Sequence, residues 1–293
     1  MKATRYCKKS KLKKKLGNFK YDYVLVDEFQ DISLSRHNLL IALRTLNPNL
    51  HLIAVGDDWQ SIYSFSCSDL SLFYKFKDNW GPNAIEMDMS GTFRFGGSVL
   101  NASTSFIKKD VQLSSRSVIP ATGSNTELIF KSFPNSMIFK ERRELQWDFI
   151  KKEMAAEISK NPKVKFLVLS RYSNIAQWFQ NELQNSKILP GNNDEVSLTI
   201  HRAKGLTADI VFIQECQENA IPLVKQEEDL SEHDKLLALV RGESKCKDRY
   251  EKKLEERRLF YVALTRAKKK VYILYDEGLK SEFVDEIWEY RSQ

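Results

Sequence analysis

Two short apolar runs, Tyr23-Val24-Leu25-Val26 and His51-Leu52-Ile53-Ala54-Val55, each stop abruptly at paired acids, Asp27-Glu28 and Asp57-Asp58. Between them Leu39, Leu40, Leu43 and Leu46 recur at helical spacing and stop before Asn47-Pro48. Strand, helix, strand, with each strand ending in polar residues, is the rhythm of a parallel sheet, whose neighbouring strands need a crossover connection. Open α/β sheets bind ligands beyond the carboxyl ends of their strands, which is where Asp27 and Glu28 fall. One carboxylate there could hold a hydrated Mg²⁺ and the other could polarise an attacking water. A buried strand followed by a solvated acidic turn reads the same way in a bare Asp-Glu pair.

The alternation continues down the chain. Helices are expected over 69–76, 98–109, 141–158, 175–183 and 252–267, and strands over 84–89, 128–133, 165–169, 196–200, 210–213 and 271–275. Residues 110–125 read as a polar, Ser-rich connection, Lys204-Gly205 as a turn, and 217–247 as a charged, irregular stretch with a short helix.

Composition narrows the class. The 293 residues are 42% hydrophobic and 29% charged, as in ordinary globular proteins. No apolar run approaches the roughly 18 residues of a membrane span, and no secretory segment follows Met1, so a cytoplasmic protein is expected. Cys7, Cys67, Cys216 and Cys246 form no C-x-x-C pair, and His37, His51, His201 and His233 show no ligand spacing. Reduced thiols and no structural metal follow. The net charge of +7 is local: nine basic residues and no acid lie in 2–20, and removing them from the 46 basic residues leaves 37 against 39 acidic ones. Such a segment grips phosphates, or it is simply a solvated face or tail.

Polar residues recur at strand ends: Asp27 and Glu28, then Asp57, Asp58 and Gln60, then Thr199 and His201. Arg94 and Arg266 sit in otherwise apolar settings, suited to stabilising charge on a transferring phosphoryl group or to pairing with a structural carboxylate. In this order the chain resembles superfamily 1 DNA helicases of the UvrD/Rep type. Asp27-Glu28-Phe29-Gln30-Asp31 is similar to motif II of that family, 55–65 (VGDDWQSIYSF) to motif III, and 91–95 (GTFRF) to motif IV. Residues 197–206 (SLTIHRAKGL) are similar to motif V and 256–267 (ERRLFYVALTRA) to motif VI.

The resemblance implies an α/β fold of RecA-like parallel sheets flanked by helices, of the P-loop NTPase type. A basic segment, 1–20, would precede a partial first motor lobe, 21–90, and a second motor lobe, 91–293. It implies an ATP-dependent 3′–5′ helicase or translocase, with ATP and Mg²⁺ as cofactors, acting on single-stranded DNA and associated with DNA repair. Asp27 would hold Mg²⁺ through water, Glu28 would orient and deprotonate the hydrolytic water, and Gln60 would sense the γ-phosphate. Arg94 and Arg266 would be arginine fingers, Phe93 would stack on adenine, and Lys204 and Gly205 would lie near the nucleotide. Tyr63, Phe65 and Trp59 would offer faces to bases, and Thr199 and His201 would contact the DNA backbone.

The sequence departs from the family at one decisive point. None of the 293 residues forms the G-x-x-x-x-G-K-[ST] loop that cradles phosphates. Thr207 stands where a ribose-contacting glutamate is usual, and Ser66-Cys67 where many relatives have Arg-Gly. The interval between motifs IV and V is too short for a large inserted domain. These features lead us to expect a C-terminal helicase portion, inactive alone. The alternatives are a non-catalytic module binding DNA or a partner helicase, and one half of a split helicase whose P-loop lies on another chain.

Overall fold

The computed structural model describes residues 20–121, 123–135, 139–189, 195–223 and 249–292. The basic segment up to residue 19, and 224–247 of the stretch expected to be irregular, lie outside the described residues. The chain divides into two compact units between Asp88 and Met89. Both are parallel α/β assemblies. No helix among the described residues is long and apolar enough to cross a membrane.

In the first unit, β1 (Tyr23–Val26) and β2 (His51–Ala54) pair in parallel, joined by the crossover helix α1 (Leu34–Leu46). Ser33 caps α1 by accepting from the Arg36 amide at 3.4 Å. The expected helix over 69–76 breaks at Lys75 into α2 (Leu70–Tyr74) and α3 (Phe76–Trp80). A small core of Phe29, Ile32 and Leu72 lies beneath Val26, Leu40, Ala54, Phe73 and Phe76. The other face of the ladder stays open. Tyr23, Leu25, Ile53 and Val55 are exposed, in a register that pairs Leu25 with Ile53 and stacks the Tyr23 and His51 rings at 5.2 Å.

Ala84–Met89 is not a strand. Ile85, Met87 and Met89 alternate as a strand requires, but all three are exposed and the segment joins no ladder. An alternating pattern favours extended backbone, and a strand also needs a partner for its amide and carbonyl groups.

The second unit opens with a short parallel pair, β3 (Gly91–Thr92) and β4 (Ile119–Pro120), and the helix α4 (Gly97–Ile107). Its body is a five-stranded all-parallel sheet. The strands are β5 (Glu127–Phe133), β6 (Phe166–Ser170), β7 (Ser197–Thr199), β8 (Ala208–Ile213) and β9 (Ala267–Asp276), ordered β5-β9-β8-β6-β7. Near-continuous burial along β6 and β8 is what a sheet covered on both faces requires. Phe166, Val168, Ile210, Phe212, Tyr272 and Leu274 form one apolar face. Helix α5 (Phe139–Lys160) adds Trp147, Ile150 and Met154 to it, and α6 (Ser173–Ser186) adds Ile175, Phe179 and Leu183.

Residues of opposite parity, among them Leu167, Leu169, Val211 and Ile213, are also buried and serve the other face. The second helical layer comprises α4, α7 (Arg249–Leu264) and α8 (Glu282–Ile287). Phe106, Phe260 and Phe283 join these helices in edge and tilted ring contacts 4.9–5.9 Å between centroids.

Candidate nucleotide and DNA site

In the first unit the two strand ends are tied by one side chain. Beyond β1 the chain turns at Glu28, which takes a left-handed conformation (φ 51°, ψ 44°). That conformation is costly for a residue with a Cβ, and such strain clusters at functional sites. Asp27 Oδ1 accepts from the Glu28 amide at 2.8 Å, and both residues are exposed. Gln30 is fully buried. Its Nε2 donates to Glu28 Oε2, and its Oε1 accepts from the Asp57 amide at 2.8 Å.

Asp57 carries the link onward, with Oδ1 accepting from the Trp59 amide at 3.0 Å and Oδ2 from Gln60 Nε2 at 2.6 Å. Glu28 and Gln60 are thus joined through Gln30 and Asp57, at the carboxyl edge of the ladder. Gly56 makes this possible, because a Cβ there would stand 2.6 Å from Gln30 Oε1 and 2.9 Å from the Phe73 ring. Gln30 lies inside the quoted acidic motif, yet the sequence gives no sign of a partner 27 residues away.

Among the aromatic residues, one expectation is corrected. Trp59 has 0% exposure, so its ring is core and offers no face to a base. Its neighbour Asp58 is equally buried, accepting from the Tyr74 hydroxyl at 2.7 Å. Phe65 is exposed and Tyr63 half-buried, and their rings meet edge-on at 5.7 Å. Burial, with Asp31 and Glu28 nearby, holds the Tyr63 hydroxyl above the usual phenol range.

Among the described residues no three His, Cys, Asp or Glu side chains converge to cage a metal. The exposed Asp27 carboxylate still fits Mg²⁺, which keeps several waters and takes one or two carboxylates plus phosphate oxygens.

In the second unit three distant segments meet at Thr265. Arg94, half-buried after β3, donates from Nη1 to the Thr265 main-chain oxygen at 3.3 Å. Arg266 is 1% exposed. Its Nη2 donates to Thr265 Oγ1 at 3.0 Å, its Nε to the Val262 oxygen at 2.8 Å and its Nη1 to the Leu206 oxygen at 3.5 Å. The last of these bonds brings the Lys204-Gly205 turn to Arg266, with Gly205 at φ +82° and open space where a Cβ would stand. Phe93, next to Arg94, is 78% exposed. Phe93, Arg94, Lys204, Gly205 and Arg266 are therefore held on neighbouring elements.

Thr199 and His201 follow β7. Thr199 Oγ1 accepts from the Arg202 amide at 3.4 Å, and the Arg202 guanidinium pairs with Glu195 at 2.5 Å. Burial, and then the positive charge of Arg171, push the His201 imidazole down to about 4, so it is neutral near pH 7. Arg171 itself is clamped by Glu256 through three contacts of 2.8–3.2 Å.

Comparisons with known proteins agree with these segments. Residues 1–81 match the UvrD/REP helicase N-terminal domain, and 181–278 match the UvrD-like helicase C-terminal domain. DNA helicase IV of Escherichia coli (strain K12) is 31% identical over 267 residues, covering 90% of this chain and 35% of the relative. A Mycoplasma pneumoniae protein described as "Probable DNA helicase" is 28% identical over 257 residues, covering 86% of this chain and 43% of its own length. The chain therefore spans less than half of either relative.

Arterivirus nonstructural protein 10 (helicase), solved with DNA, superposes with a TM-score of 0.40 at 15% identity over 90% of this chain and 41% of that one. Two domain families of one helicase type, matched in order, and relatives described as DNA helicases support placing this chain with the UvrD/Rep-type helicases.

Proposed function

We propose that this chain is the portion of an ATP-dependent 3′–5′ DNA translocase that polarises the hydrolytic water and stabilises phosphoryl charge, and that a P-loop on another polypeptide segment completes it. The observation that carries this reading is the chain of contacts from Glu28 through Gln30 and Asp57 to Gln60. It gives a water-activating carboxylate and a γ-phosphate-sensing amide a common mounting on two strand ends.

Asp27 would hold Mg²⁺, which supplies charge neutralisation at the phosphates when bound. Glu28 would accept a proton from water. Arg94 and Arg266 would stabilise charge on the transferring group, Phe93 would stack on the base of ATP, and Lys204 and Gly205 would border the nucleotide. Tyr63 and Phe65 would stack on bases of single-stranded DNA, contacts worth roughly 1–3 kcal/mol each. Thr199 and His201 would meet its backbone. Work of this kind would include a part in DNA repair and take place in the cytoplasm.

Without a P-loop, phosphate positioning is lost, and positioning supplies most of the catalysis of phosphoryl transfer. The purified 293-residue chain should therefore turn over ATP weakly or not at all. DNA-stimulated turnover by the purified chain, abolished in Glu28→Gln, would overturn that expectation. The lack of a P-loop motif in this sequence also favours a second reading, a module that binds DNA or a partner helicase without catalysis. Salt-dependent binding of an oligonucleotide, indifferent to ATP even when a P-loop-bearing polypeptide is supplied, would decide for it.

A further inference from the structure

A second site lies at the carboxyl edge of the five-stranded sheet, among residues given no role above. Beyond β8 and at the start of α6 there is a cavity of about 330 Å³, lined by Tyr172, Ile175, Glu215, Gln217, Glu218 and Asn219. Its volume is at the lower end for small-molecule pockets. Glu215 is 4% exposed and Gln217 8%. Gln217 Oε1 has no hydrogen-bond partner among the described residues, and the charged groups acting on the Glu215 carboxyl are Arg143, Asp276 and Arg142. Leaving a buried polar atom such as Gln217 Oε1 unmatched costs free energy, so a cavity lined by it and by the buried Glu215 suits a ligand that supplies the missing contacts.

What is missing is donors. A carboxylate has only acceptors, the unmatched atom of Gln217 is a carbonyl oxygen, and Glu218 adds a second carboxylate at the exposed rim. The first turn of α6 borders the cavity through Asn174 and Ile175. Ile175 supplies an apolar wall suited to a short aliphatic stem.

We propose that this cavity binds a small organic cation, a primary ammonium or guanidinium group, with Glu215 and Gln217 accepting its N–H donors and Glu218 guiding it in. Such a group could come from a free polyamine or from an arginine side chain.

The ionisation of Glu215 supplies an independent handle. Burial, opposed by Arg142 and Arg143 of α5 and reinforced by Asp276 at the end of β9, raises its carboxyl to about 7. A cation binds the ionised form, so binding strengthens as pH rises through 7 and is about tenfold weaker at pH 6 than at pH 8.

The test is calorimetric titration of the full chain at fixed ionic strength with spermidine and, separately, with acetyl-Gly-Arg-Gly-amide. Saturable binding of either at pH 8, about tenfold weaker at pH 6 and at least tenfold weaker in Glu215→Gln, is the expected result. Spermidine alone binding assigns a free amine, and the peptide alone assigns an arginine side chain. No saturable binding of either at pH 8, or affinity unchanged in Glu215→Gln, overturns the proposal. Should Glu215→Gln fail to give a native circular dichroism spectrum, Gln217→Leu and the wild-type pH series decide in its place. Affinity indifferent to both then overturns the proposal.

Discussion

Arg94 and Thr265 meet across 171 residues of sequence, the arginine Nη1 donating to the threonine main-chain oxygen at 3.3 Å. Arg266 Nη2 donates to the hydroxyl of the same threonine at 3.0 Å. One residue therefore fixes both arginines, the first by its backbone and the second by its side chain. The two attachments are chemically separable.

Thr265→Val should remove the hydroxyl acceptor and leave the contact to Arg94 in place. The hydroxyl also donates to the Tyr261 oxygen at 2.9 Å, so the expected loss is about 1–2 kcal/mol in urea unfolding of the second unit, the worth of two hydrogen bonds. Arg266→Ala also strips donors from Val262 and Leu206 and empties a buried volume, so about 2–4 kcal/mol should go. Equal losses for the two variants would show that Thr265, and not the guanidinium, carries the stability of this junction.

Gly56→Ala should loosen the first unit. The new methyl would stand 2.6 Å from Gln30 Oε1, so the bridge from Glu28 to Asp57 must shift. Overpacking of this kind costs typically 1–3 kcal/mol. Faster amide exchange across β1 and β2, with β6 and β8 unchanged, is the expected readout, and unchanged exchange in β2 would count against the close approach.

Stability of the second unit should depend on Glu215. Its folded-state carboxyl stands near 7 against an ordinary value of 4.5, so the unfolded state releases the proton first as pH rises. Stability is fully present below 4.5 and declines until about pH 7, by about 3 kcal/mol at most. Glu215→Gln removes that slope. The variant should equal the wild type at pH 4.5 and exceed it at pH 8 in chemical denaturation without added cation.

The neutral His201 makes a prediction about DNA, resting on the proposed backbone contact. A neutral imidazole releases no counterion, so His201→Ala should weaken oligonucleotide binding while leaving the slope of log K against log salt unchanged. A slope reduced by about one unit would mean that the histidine binds as a cation.

Much of the architecture was legible because apolar runs of strand length stop at polar residues. β1, β2, β6 and β8 follow their patterns to within two residues. The failure at Ala84–Met89 is instructive, since Ile85, Met87 and Met89 keep a two-residue period with no ladder to join. Periodicity reports local backbone preference, whereas a strand depends on what lies beside it.

The same distinction separates the residues of the site. Asp27, Glu28 and Gln60 announce themselves by type and order. Gln30 and Thr265 matter through partners 27 and 171 residues away, which no local pattern encodes. Trp59 shows the converse error, because an aromatic within a motif carries no mark of whether it is core or surface. Glu215 fell between the expected strand 210–213 and the irregular stretch 217–247, in no assigned element, and burial alone gives it significance.

The open face of the β1–β2 ladder has a practical consequence for every measurement on this protein. Tyr23, Leu25, Ile53 and Val55 present an exposed apolar surface on a ladder of two strands among the described residues, and such surfaces recruit whatever apolar chain is at hand. At high protein concentration the first candidate is another molecule of the same kind. Light scattering should then rise with concentration, and Leu25→Lys should suppress it. Specific activity or DNA affinity measured per mole of chain would fall as the solution is concentrated, a dilution effect easily mistaken for cooperativity.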